Sequence, residues 1–483
     1  MFFGRESQIE QMMALWDKRV SSLVTCRGRR RIGKSTLVEE FARRSGSDFI
    51  RIEGRRPEQK LSNEDELATF SRQLSRQSGK TLKTPRDWTE AFDLLDECVG
   101  DRRRTVVLLD EISWLAHYDG SFSDTLKIAW DGTLKKHARL ILVLCGSVSS
   151  WIRENIVDNS AYMGRRSLDI VVRELPLSEC VKFWGRRANR IDTREILDVL
   201  SVTGGVPRYL EEVSPGLSAA ENIKRMCFAP QGVLRVDFDE MFTDVITKQP
   251  DFTARVLRSL VDGPRSSAEI ASDIGVEKSG NITSAILRLE EAGLVAPDIG
   301  NNPETGVEAR ERRFRLRDNY TRFYLKCIEP VKHIIDSGAY EFTSLEEFSG
   351  WNSIMGLAFA NLIVNNYREL IPALHLGGML ITSAAPYRKV GKRKGTGKRG
   401  RKGFQIDLLI QTRKAICVVE VKRRAEIGAE IVKEVDEKAR AIRRPEGVSI
   451  KTALVYDGHL SPVARADGYF DAIIPFKDLL GLS

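Results

Sequence analysis

Residues 28–35 read Gly28-Arg29-Arg30-Arg31-Ile32-Gly33-Lys34-Ser35, and this stretch decides the fold of the N-terminal part. The spacing is GxxxxGK followed by Ser or Thr, in which the glycines let backbone N–H groups turn toward phosphate oxygens. A short apolar run, Ser22–Cys26, precedes it, and Lys34–Arg44 continues with helical spacing. The N-terminus of a helix after a strand attracts anions. The stretch therefore predicts a phosphate-binding loop, and the alternative is a chance match.

Two acids end a second apolar strand pattern. Val106–Leu109 is unbroken, and Asp110 and Glu111 follow it directly. In phosphate-binding folds of this kind, a carboxylate at a strand end helps to hold Mg²⁺, and a second group positions the attacking water. We therefore predict ATP and Mg²⁺ as ligands, with Ser35 and Asp110 on the metal side. Glu111 is the predicted general base, unless the two acids only cap the next helix.

Further polar residues are candidates for the phosphate side of this site. Ser147 follows the apolar run Leu140–Cys145 and is placed to bond the γ-phosphate or the water. Arg165 or Arg166 could serve as an arginine finger toward a neighbouring copy, which predicts a homo-oligomer. The alternative for each is a surface arginine or a turn serine. The full predicted nucleotide-binding set, with Lys34 also assigned a catalytic role, is Gly28, Arg29, Arg30, Arg31, Ile32, Gly33, Lys34, Ser35, Thr36, Ser147 and Arg208.

Composition limits the class of protein. The 483 residues predict roughly two to four domains, and 42% apolar with 30% charged residues is typical of a soluble chain. No apolar run reaches the roughly 20 residues of a membrane helix. The first residues lack the basic start and apolar core of a signal peptide, and the seven cysteines form no CxxC pair. We therefore expect a cytoplasmic protein without a membrane segment, a zinc site or disulfides.

The net charge of +9 is concentrated in one place. Arg388–Lys402 contains nine Lys or Arg and no acid, so the rest of the chain is close to neutral. A concentrated positive segment favours a polyanionic partner such as DNA. The alternative is a solvated loop.

The middle of the chain predicts a small helical domain. Phe252–Leu260, Ser267–Ile274 and Ile282–Ala292 have helical periodicity, and strands are expected at Gly293–Val295 and Arg312–Leu316. Three helices and a hairpin are typical of a winged helix-turn-helix, which would bind DNA. The alternative is a packing module. The predicted groove and wing contacts are Asn281, Thr283, Ser284, Arg288, Arg310, Arg312, Arg313, Arg315 and Arg317.

A second candidate site lies on two predicted strands near the C-terminus. Asp407 ends one strand pattern, and Glu420 and Lys422 lie two apart on the next, so they share a face. Asp407 and Glu420 would hold Mg²⁺ or Mn²⁺, and Lys422 would stabilise charge at a phosphate. This is the D…ExK arrangement of restriction-type nucleases. The first helix has Ala360 where such sites often carry an acid, which weakens the expectation of cleavage.

The chain also resembles a known family. The segments concerned are Phe3-Gly4-Arg5-Glu6, GRRRIGKST at 28–36, Trp88, LLDEISWL at 108–115, CGSVSS at 145–150 and GGVPRYL at 204–210. Together they look like the archaeal-type AAA+ or STAND-like ATPases. The resemblance implies nucleotide contacts at Gly28–Thr36, Asp110, Glu111, Ser147 and Arg208, with Arg5 near the adenine or ribose.

The resemblance and the patterns together predict an α/β chain. A P-loop NTPase parallel sheet with a helical lid is followed by a winged helix-turn-helix and a C-terminal α/β restriction-endonuclease-like domain. The predicted domains are residues 1–175 for the ATPase core, 176–240 for the lid, 241–335 for the winged helix-turn-helix and 340–483 for the last domain. We expect an ATPase that engages DNA through the winged helix and residues 388–402, with a C-terminal nuclease site. The alternative is an ATP-driven regulatory switch that binds DNA or a protein without cleaving nucleic acid.

Overall fold

The computed structural model describes residues 2–100, 103–147, 149–245, 249–277, 279–309, 311–342, 344–345, 348, 350–389, 403–466 and 468–482. The chain forms two units, Met1–Leu175 with Glu291–Gly293, and Pro176–Glu290 with Leu294–Ser483. Across the ranges given above, no helix combines the length and apolar character needed to cross a membrane.

The first unit is built on a parallel sheet. Its five strands stand in the order β2-β3-β4-β1-β5, and all neighbours are parallel. Every position of β3 and β4 is buried, as expected for continuous apolar strands covered on both faces. The predicted parallel sheet is confirmed. The strands are β1 Ser22–Arg27, β2 Asp48–Glu53, β3 Thr105–Asp110, β4 Leu140–Gly146 and β5 Arg166–Val171.

Helices connect these strands and supply the core. The side chains of Ser62 and Asp87 accept hydrogen bonds from backbone N–H groups in the first turns of α3 and α4, which fixes where these helices begin. Their inner faces meet around Trp88, whose ring lies 5.6 Å from Phe70 and 4.7 Å from Phe122, centroid to centroid. The helices are α1 Glu6–Met13, α2 Lys34–Ser45, α3 Asn63–Ser78, α4 Trp88–Cys98, α5 Ile112–Leu115, α6 Phe122–Gly132 and α7 Ser149–Ile152.

The second unit begins with a helical segment, as the sequence predicts. Gly204 ends α9 with a φ of 65°, a conformation that suits glycine at a helix C-terminus. The helices are α8 Leu177–Cys180, α9 Thr193–Thr203, α10 Pro207–Leu210, α11 Ala219–Ile223 and α12 Val233–Val245.

In the part of the chain that the structure describes, five helices and a small antiparallel sheet follow, and the first three helices lie near the three that the sequence predicts. The sheet has the order β6-β8-β7, and its hairpin β7–β8 lies where the sequence predicts one. The two-residue strand β6 was not predicted, and the assignment as a winged helix stays a prediction. The elements are α13 Pro250–Ser259, β6 Arg265–Ser266, α14 Ser267–Asp273, α15 Gly280–Glu291, β7 Val295–Asp298, β8 Arg313–Leu316, α16 Asn319–Phe323 and α17 Lys332–Asp336.

The last part of the second unit is a mixed five-stranded sheet in the order β13-β12-β11-β10-β9. β9, β10 and β11 are antiparallel neighbours, whereas β11, β12 and β13 run parallel. Helices α18 and α19 both pack against β11. Of the predicted basic segment, Arg388 and Lys389 end β9, and residues 390–402 lie outside the described residues. The elements are α18 Trp351–Asn365, β9 Ile381–Lys389, β10 Phe404–Thr412, β11 Ala415–Ile427, α19 Glu430–Ala441, β12 Ser449–Leu460, α20 Pro462–Ala466, β13 Ala472–Pro475 and α21 Phe476–Leu479.

Candidate functional site

The predicted phosphate-binding loop connects β1 to α2. Gly28 has a φ of 153°, and a Cβ at this position would lie 2.3 Å from the carbonyl oxygen of Val172. No side chain fits there without moving backbone. Gly33 has a φ of 83° and directly precedes α2, while Ile32 is fully buried and anchors the loop. The loop conformation therefore depends on glycine at two of the predicted positions.

Lys34 begins α2 and lies inside the loop. Its side chain is buried, and Nζ donates a 3.0 Å hydrogen bond to the carbonyl oxygen of Arg29. The ammonium group thus lies next to the N–H groups and the positive dipole end of α2, where an anion is stabilised. Thr36 is exposed in the first turn of the same helix. This arrangement suits the binding of nucleotide phosphates.

Ser35 and Asp110 meet at the end of β3. The Ser35 hydroxyl donates a 2.6 Å hydrogen bond to Asp110 Oδ2, and Asp110 is buried. A hydroxyl and a carboxylate are hard oxygen ligands of the kind that Mg²⁺ prefers. The two residues therefore suit a Mg²⁺ ion that accompanies a bound nucleotide, and their role as its ligands stays a prediction.

Glu111 and Ser147 are brought together by the neighbouring strands β3 and β4. Glu111 Oε2 accepts hydrogen bonds from the backbone N–H of Ser147 at 3.0 Å and from its hydroxyl at 2.7 Å. Glu111 also has a φ of 48°, a conformation that residues with a side chain adopt at a cost. The contacts with Ser147 hold the carboxylate in one position. Ser147 is thus in contact with the predicted base. The sequence predicts a contact of Ser147 with phosphate or water and does not predict this contact with Glu111.

Arg51 is a residue of this site that sequence reasoning missed. Its Nη2 lies 2.9 Å from Asp110 Oδ2, and its guanidinium also contacts Glu39 at 2.8 Å and Glu53 at 3.0 Å. Burial raises the pKa of Glu53, and the nearby carboxylates Asp110 and Glu111 add to this effect. The sequence signal that could have identified Arg51 is the presence of an arginine within an apolar strand pattern. Its partner became apparent only with the pairing of β2 and β3.

The remaining predicted arginines have different surroundings. Arg5 Nη2 donates a 3.2 Å hydrogen bond to the carbonyl oxygen of Ile32, so Arg5 adjoins the loop. Arg165 contacts Asp131 at 2.8 Å, and Arg166 donates to a backbone carbonyl 3.0 Å away. Their proposed role as an arginine finger stays a prediction.

Arg208 lies in the second unit. It pairs with two glutamates that follow it in the chain, Glu212 at 2.7 Å and Glu211 at 3.5 Å. Its predicted contact with nucleotide stays a prediction.

The second candidate site forms on β10 and β11. The register pairs Leu408 with Val419, so the next residue along, Asp407, lies opposite Glu420. Asp407 Oδ2 accepts a 2.9 Å hydrogen bond from the N–H of Val421. Lys422 Nζ lies 2.8 Å from Glu420 Oε1. The three predicted residues are therefore close together.

Two residues of α19 join this cluster, and the sequence did not single them out. Lys438 Nζ lies 2.7 Å from both carboxylate oxygens of Glu420 and 3.1 Å from Glu434. Glu434 also lies 2.9 Å from Lys422. Glu434 and Lys438 are four residues apart on one helix face. That spacing was visible in the sequence, but it is common on surface helices.

Burial sets the charge states in the cluster. Burial raises the pKa of Glu420 to about 7, and the Asp407 carboxylate adds to the rise. Burial also raises the pKa of Asp407. On Glu434 burial acts in the same direction, but Lys422 and Lys438 together lower the pKa to about 2.

Two buried carboxyl groups that repel each other are stabilised by a cation, and their oxygens suit Mg²⁺ or Mn²⁺. Among the described residues, no group of three or more His, Cys, Asp or Glu side chains is arranged to hold a metal ion. Lys422 and Lys438 supply the positive charge nearest to Glu420. The oxygen atoms of Asp407 and Glu420 are thus suitable ligands for the predicted metal ion. That a metal ion binds there stays a prediction.

The predicted DNA contacts of the hairpin need correction. Arg315 does not face outward, because it is buried and its Nε donates a 2.8 Å hydrogen bond to Asp298. Arg313 contacts Glu269 at 2.6 Å. Arg313 and Arg315 lie two apart and share one face of β8, and this face is directed into the protein at Arg315. Arg312 is exposed and contacts Glu308, while Arg310 lies outside the described residues.

The predicted recognition helix α15 keeps an exposed face. Asn281, Thr283 and Ser284 are exposed, whereas Arg288 is half-buried and lies 3.4 Å from the Thr253 hydroxyl. Ala360 is half-buried on α18, so it adds no acid to the cluster.

The N-terminal part of the chain resembles known ATPase domains. Residues 2–213 match the family of ATPase domains found predominantly in archaea. An uncharacterized protein of Methanocaldococcus jannaschii is 21% identical over 361 residues, which are 74% of this chain and 75% of that protein. The solved structure of the Walker-type ATPase of Pyrococcus abyssi is similar with a TM-score of 0.50 and 17% sequence identity. The similarity covers 67% of this chain and 96% of the Pyrococcus abyssi chain. The last similarity shows the fold.

The family match and the geometry of the phosphate-binding loop both indicate an ATPase domain. The matched range contains the phosphate-binding loop, the Asp110–Glu111 pair and Ser147. Together they support ATP binding and ATP hydrolysis by this part of the chain.

Proposed function

We propose that the protein uses ATP to control an action on DNA, and that its C-terminal sheet carries a metal-dependent nuclease site. The observation that carries the proposal is the convergence of Asp407, Glu420 and Lys422 on adjacent strands. Two carboxylates and a lysine are the groups with which such a site binds a divalent cation and stabilises charge on a phosphate.

The arrangement of elements supports the same proposal. The order α18, β9, β10, β11, α19, β12 places one antiparallel meander and one parallel crossover in a single sheet. The candidate residues lie on two adjacent inner strands of this sheet, β10 and β11. This is the arrangement expected of the restriction-endonuclease-like domain that the sequence predicts.

The chemistry divides among these residues. Asp407 and Glu420 would bind the divalent cation, and a bound cation would supply positive charge at the scissile phosphate. Lys422 donates its N–H groups to the phosphate or the attacking water. Burial of Glu420 limits water around the site, which strengthens these electrostatic interactions.

Two features support DNA as the polyanion. The segment 388–402 carries nine positive charges and no acid, and it connects β9 to β10, the strand that holds Asp407. The exposed residues of α15 offer hydroxyl and amide groups that hydrogen-bond to bases and phosphates. Salt-dependent binding is the expected result.

Residues of the ATPase domain have separate roles in this proposal. Lys34 binds the β- and γ-phosphates, and Glu111 polarises the attacking water while Ser147 holds its carboxylate. Ser35 and Asp110 would hold Mg²⁺, which would neutralise charge on the phosphates.

The direct test is cleavage of supercoiled plasmid and of single-stranded DNA by the full chain with Mg²⁺ or Mn²⁺. The wild type is expected to nick DNA, and Asp407→Asn and Lys422→Ala are expected to lose the activity. Lys433→Gln, an exposed lysine on α19, serves as the control and should retain it. If the wild type cleaves no DNA with either metal, the nuclease proposal is wrong.

One observation favours a second function, an ATP-driven switch that binds DNA or a protein without cleaving. Lys438 and Lys422 both contact Glu420, so the carboxylate is already neutralised within the protein. Ala360 supplies no further acid. DNA binding that changes with ATP, without any cleavage, would support the switch. Nucleotide-dependent oligomerisation would support it as well.

A further inference from the structure

Arg51 of β2 contacts the carboxylate at the centre of the nucleotide site. Its Nη2 lies 2.9 Å from Asp110 Oδ2, the same oxygen that accepts the Ser35 hydroxyl at 2.6 Å. The Asp110 side chain is 3% exposed, so water contributes little to neutralising it. A buried carboxylate needs a positive partner or hydrogen bonds. Arg51 supplies a positive charge to this carboxylate.

The guanidinium has two further anionic partners, and these face solvent. Nη1 lies 2.8 Å from Glu39 Oε1, and Nη2 lies 3.0 Å from Glu53 Oε2. The side chains of Glu39 and Glu53 are 41% and 51% exposed. Arg51 therefore keeps two carboxylate partners when it moves away from Asp110.

We propose that Arg51 competes with Mg²⁺ for Asp110 and thereby sets the Mg²⁺ concentration at which nucleotide binds. The cation needs the Ser35 hydroxyl and the Asp110 carboxylate, and a guanidinium on that carboxylate repels it. Mg²⁺ entering with nucleotide displaces Arg51 toward Glu39 and Glu53. Arg51 is in this account a positioning residue that touches no reacting atom. The inference concerns the ATPase site and does not depend on the C-terminal proposal.

The competition also predicts that Mg²⁺ and nucleotide bind together more readily than Mg²⁺ alone. Without nucleotide, Mg²⁺ has only the protein oxygens to offset the repulsion by Arg51. With nucleotide, the phosphates add negative charge beside Ser35. Arg51 therefore favours binding of metal and nucleotide together over binding of metal alone.

The test uses the full chain as wild type, Arg51→Gln and Arg51→Lys. Arg43→Gln is the control, because Arg43 is an exposed arginine paired with Glu40 on α2. Binding of a fluorescent non-hydrolysable ATP analogue is titrated with Mg²⁺, and Mn²⁺ binding without nucleotide is followed by electron paramagnetic resonance. Arg51→Gln should lower the half-saturating Mg²⁺ roughly 5-fold or more, a typical size for coupling between two sites. It should also increase Mn²⁺ binding without nucleotide. Arg51→Lys keeps the charge and should resemble the wild type.

A second variant tests the opposite direction. Glu39→Gln combined with Glu53→Gln removes the solvent-facing partners and leaves Asp110 as the partner of Arg51. This variant should need more Mg²⁺ than the wild type. The proposal is overturned if Arg51→Gln needs the same or more Mg²⁺, or if the double variant needs the same or less. Loss of nucleotide binding by Arg51→Gln at saturating Mg²⁺ would also overturn it, since Arg51 would then bind the nucleotide itself.

Discussion

At the scale of single residues, the nucleotide site is held by side chains that meet from different strands. Glu111 has an unfavourable backbone conformation and is fixed by two hydrogen bonds from Ser147. A general base must be held where the attacking water will lie, because catalysis depends on its position as well as its pKa. In the proposed reaction the two residues act as a pair, with Ser147 positioning Glu111.

Glu111→Gln should lower ATP turnover roughly 100- to 10,000-fold, the usual contribution of a general base. Ser147→Ala should lower turnover less, because Glu111 remains but loses one of its hydrogen bonds. Both variants should bind ATP, since neither removes a loop residue. Phosphate release measures turnover, and a fluorescent ATP analogue measures binding. Equal loss of binding and turnover would contradict the assignment.

Glu66 on α3 is expected to make the stability of the folded protein depend on pH. Its side chain is buried, and burial raises its pKa from 4.5 to about 7. Below about pH 7, the neutral form of Glu66 is therefore favoured in the folded protein. The resulting stabilisation is full below pH 4.5 and is lost as the pH rises toward 7. Near pH 8 the ionised carboxyl costs up to about 3 kcal/mol of the free energy of unfolding.

Glu66→Gln should thus raise the melting temperature at pH 8 and change it little at pH 4.5. Gln keeps an oxygen that can accept the hydrogen bond from the N–H of Arg55. Thermal unfolding at both pH values measures the effect. Glu64→Gln, an exposed residue on the same helix, should show no such difference. A variant that is less stable at pH 8 would contradict this interpretation.

At the scale of elements, β8 shows that a strand rich in arginine can be partly buried although its sequence predicts an exposed surface. Its alternating arginines predict a surface that binds phosphates, but Arg315 forms part of the interior. Its guanidinium contacts Asp298, Asn361 and Asn365. Burial raises the pKa of Asp298 to about 6, although Arg315 acts against this rise. The arginine thus links β8 to α18 within the second unit.

Arg315→Ala should destabilise the second unit by about 3–5 kcal/mol, because it leaves the buried Asp298 without its ion pair. Arg312→Ala is the matched control on the same segment. Its ion pair with Glu308 is exposed, so the expected loss is below about 1 kcal/mol. Urea unfolding measures both variants. Equal stability of the two would show that Arg315 is not an interior residue.

Helix α19 determines how the C-terminal cluster is neutralised. Lys438→Gln removes one of the two ammonium groups on Glu420 and should tighten Mn²⁺ binding there roughly 5-fold or more. The measurement is electron paramagnetic resonance of Mn²⁺ in an Asp110→Asn background, which weakens the nucleotide-side metal site. Lys433→Gln, exposed on the same helix, is the control. Unchanged Mn²⁺ binding in Lys438→Gln would mean that Lys438 does not compete with metal.

Much of the architecture was predictable from patterns along the chain. The glycine loop, the continuous apolar strands and the acids at the end of β3 are local signals, and the parallel sheet is confirmed. Arg51, Glu434 and Lys438 were not predictable, because their partners lie on elements whose pairing is not encoded in local spacing. Strand β9 was missed beside the basic segment, and the inward face of Arg315 depends on packing against α18.

At the scale of the whole molecule, the first unit comprises Met1–Leu175 with Glu291–Gly293, and the domain boundaries that the sequence predicts stay predictions. Residues 176–240, predicted as the lid, belong to the second unit with the C-terminal sheet. Ion pairs join α9 to this sheet, Asp198 with Arg423 at 2.6 Å and Arg194 with Asp457. Three of these side chains are largely buried. Helix α9 and the strands of the candidate nuclease site therefore form one body.

ATP control of the C-terminal site is the central claim, and the rate of plasmid nicking with and without ATP tests it most directly. Wild type and Lys34→Ala are compared at fixed Mg²⁺, with Asp407→Asn as the inactive reference. The account predicts that ATP changes the nicking rate of the wild type by roughly 5-fold or more and leaves that of Lys34→Ala unchanged. Equal nicking by both proteins with and without ATP would contradict it.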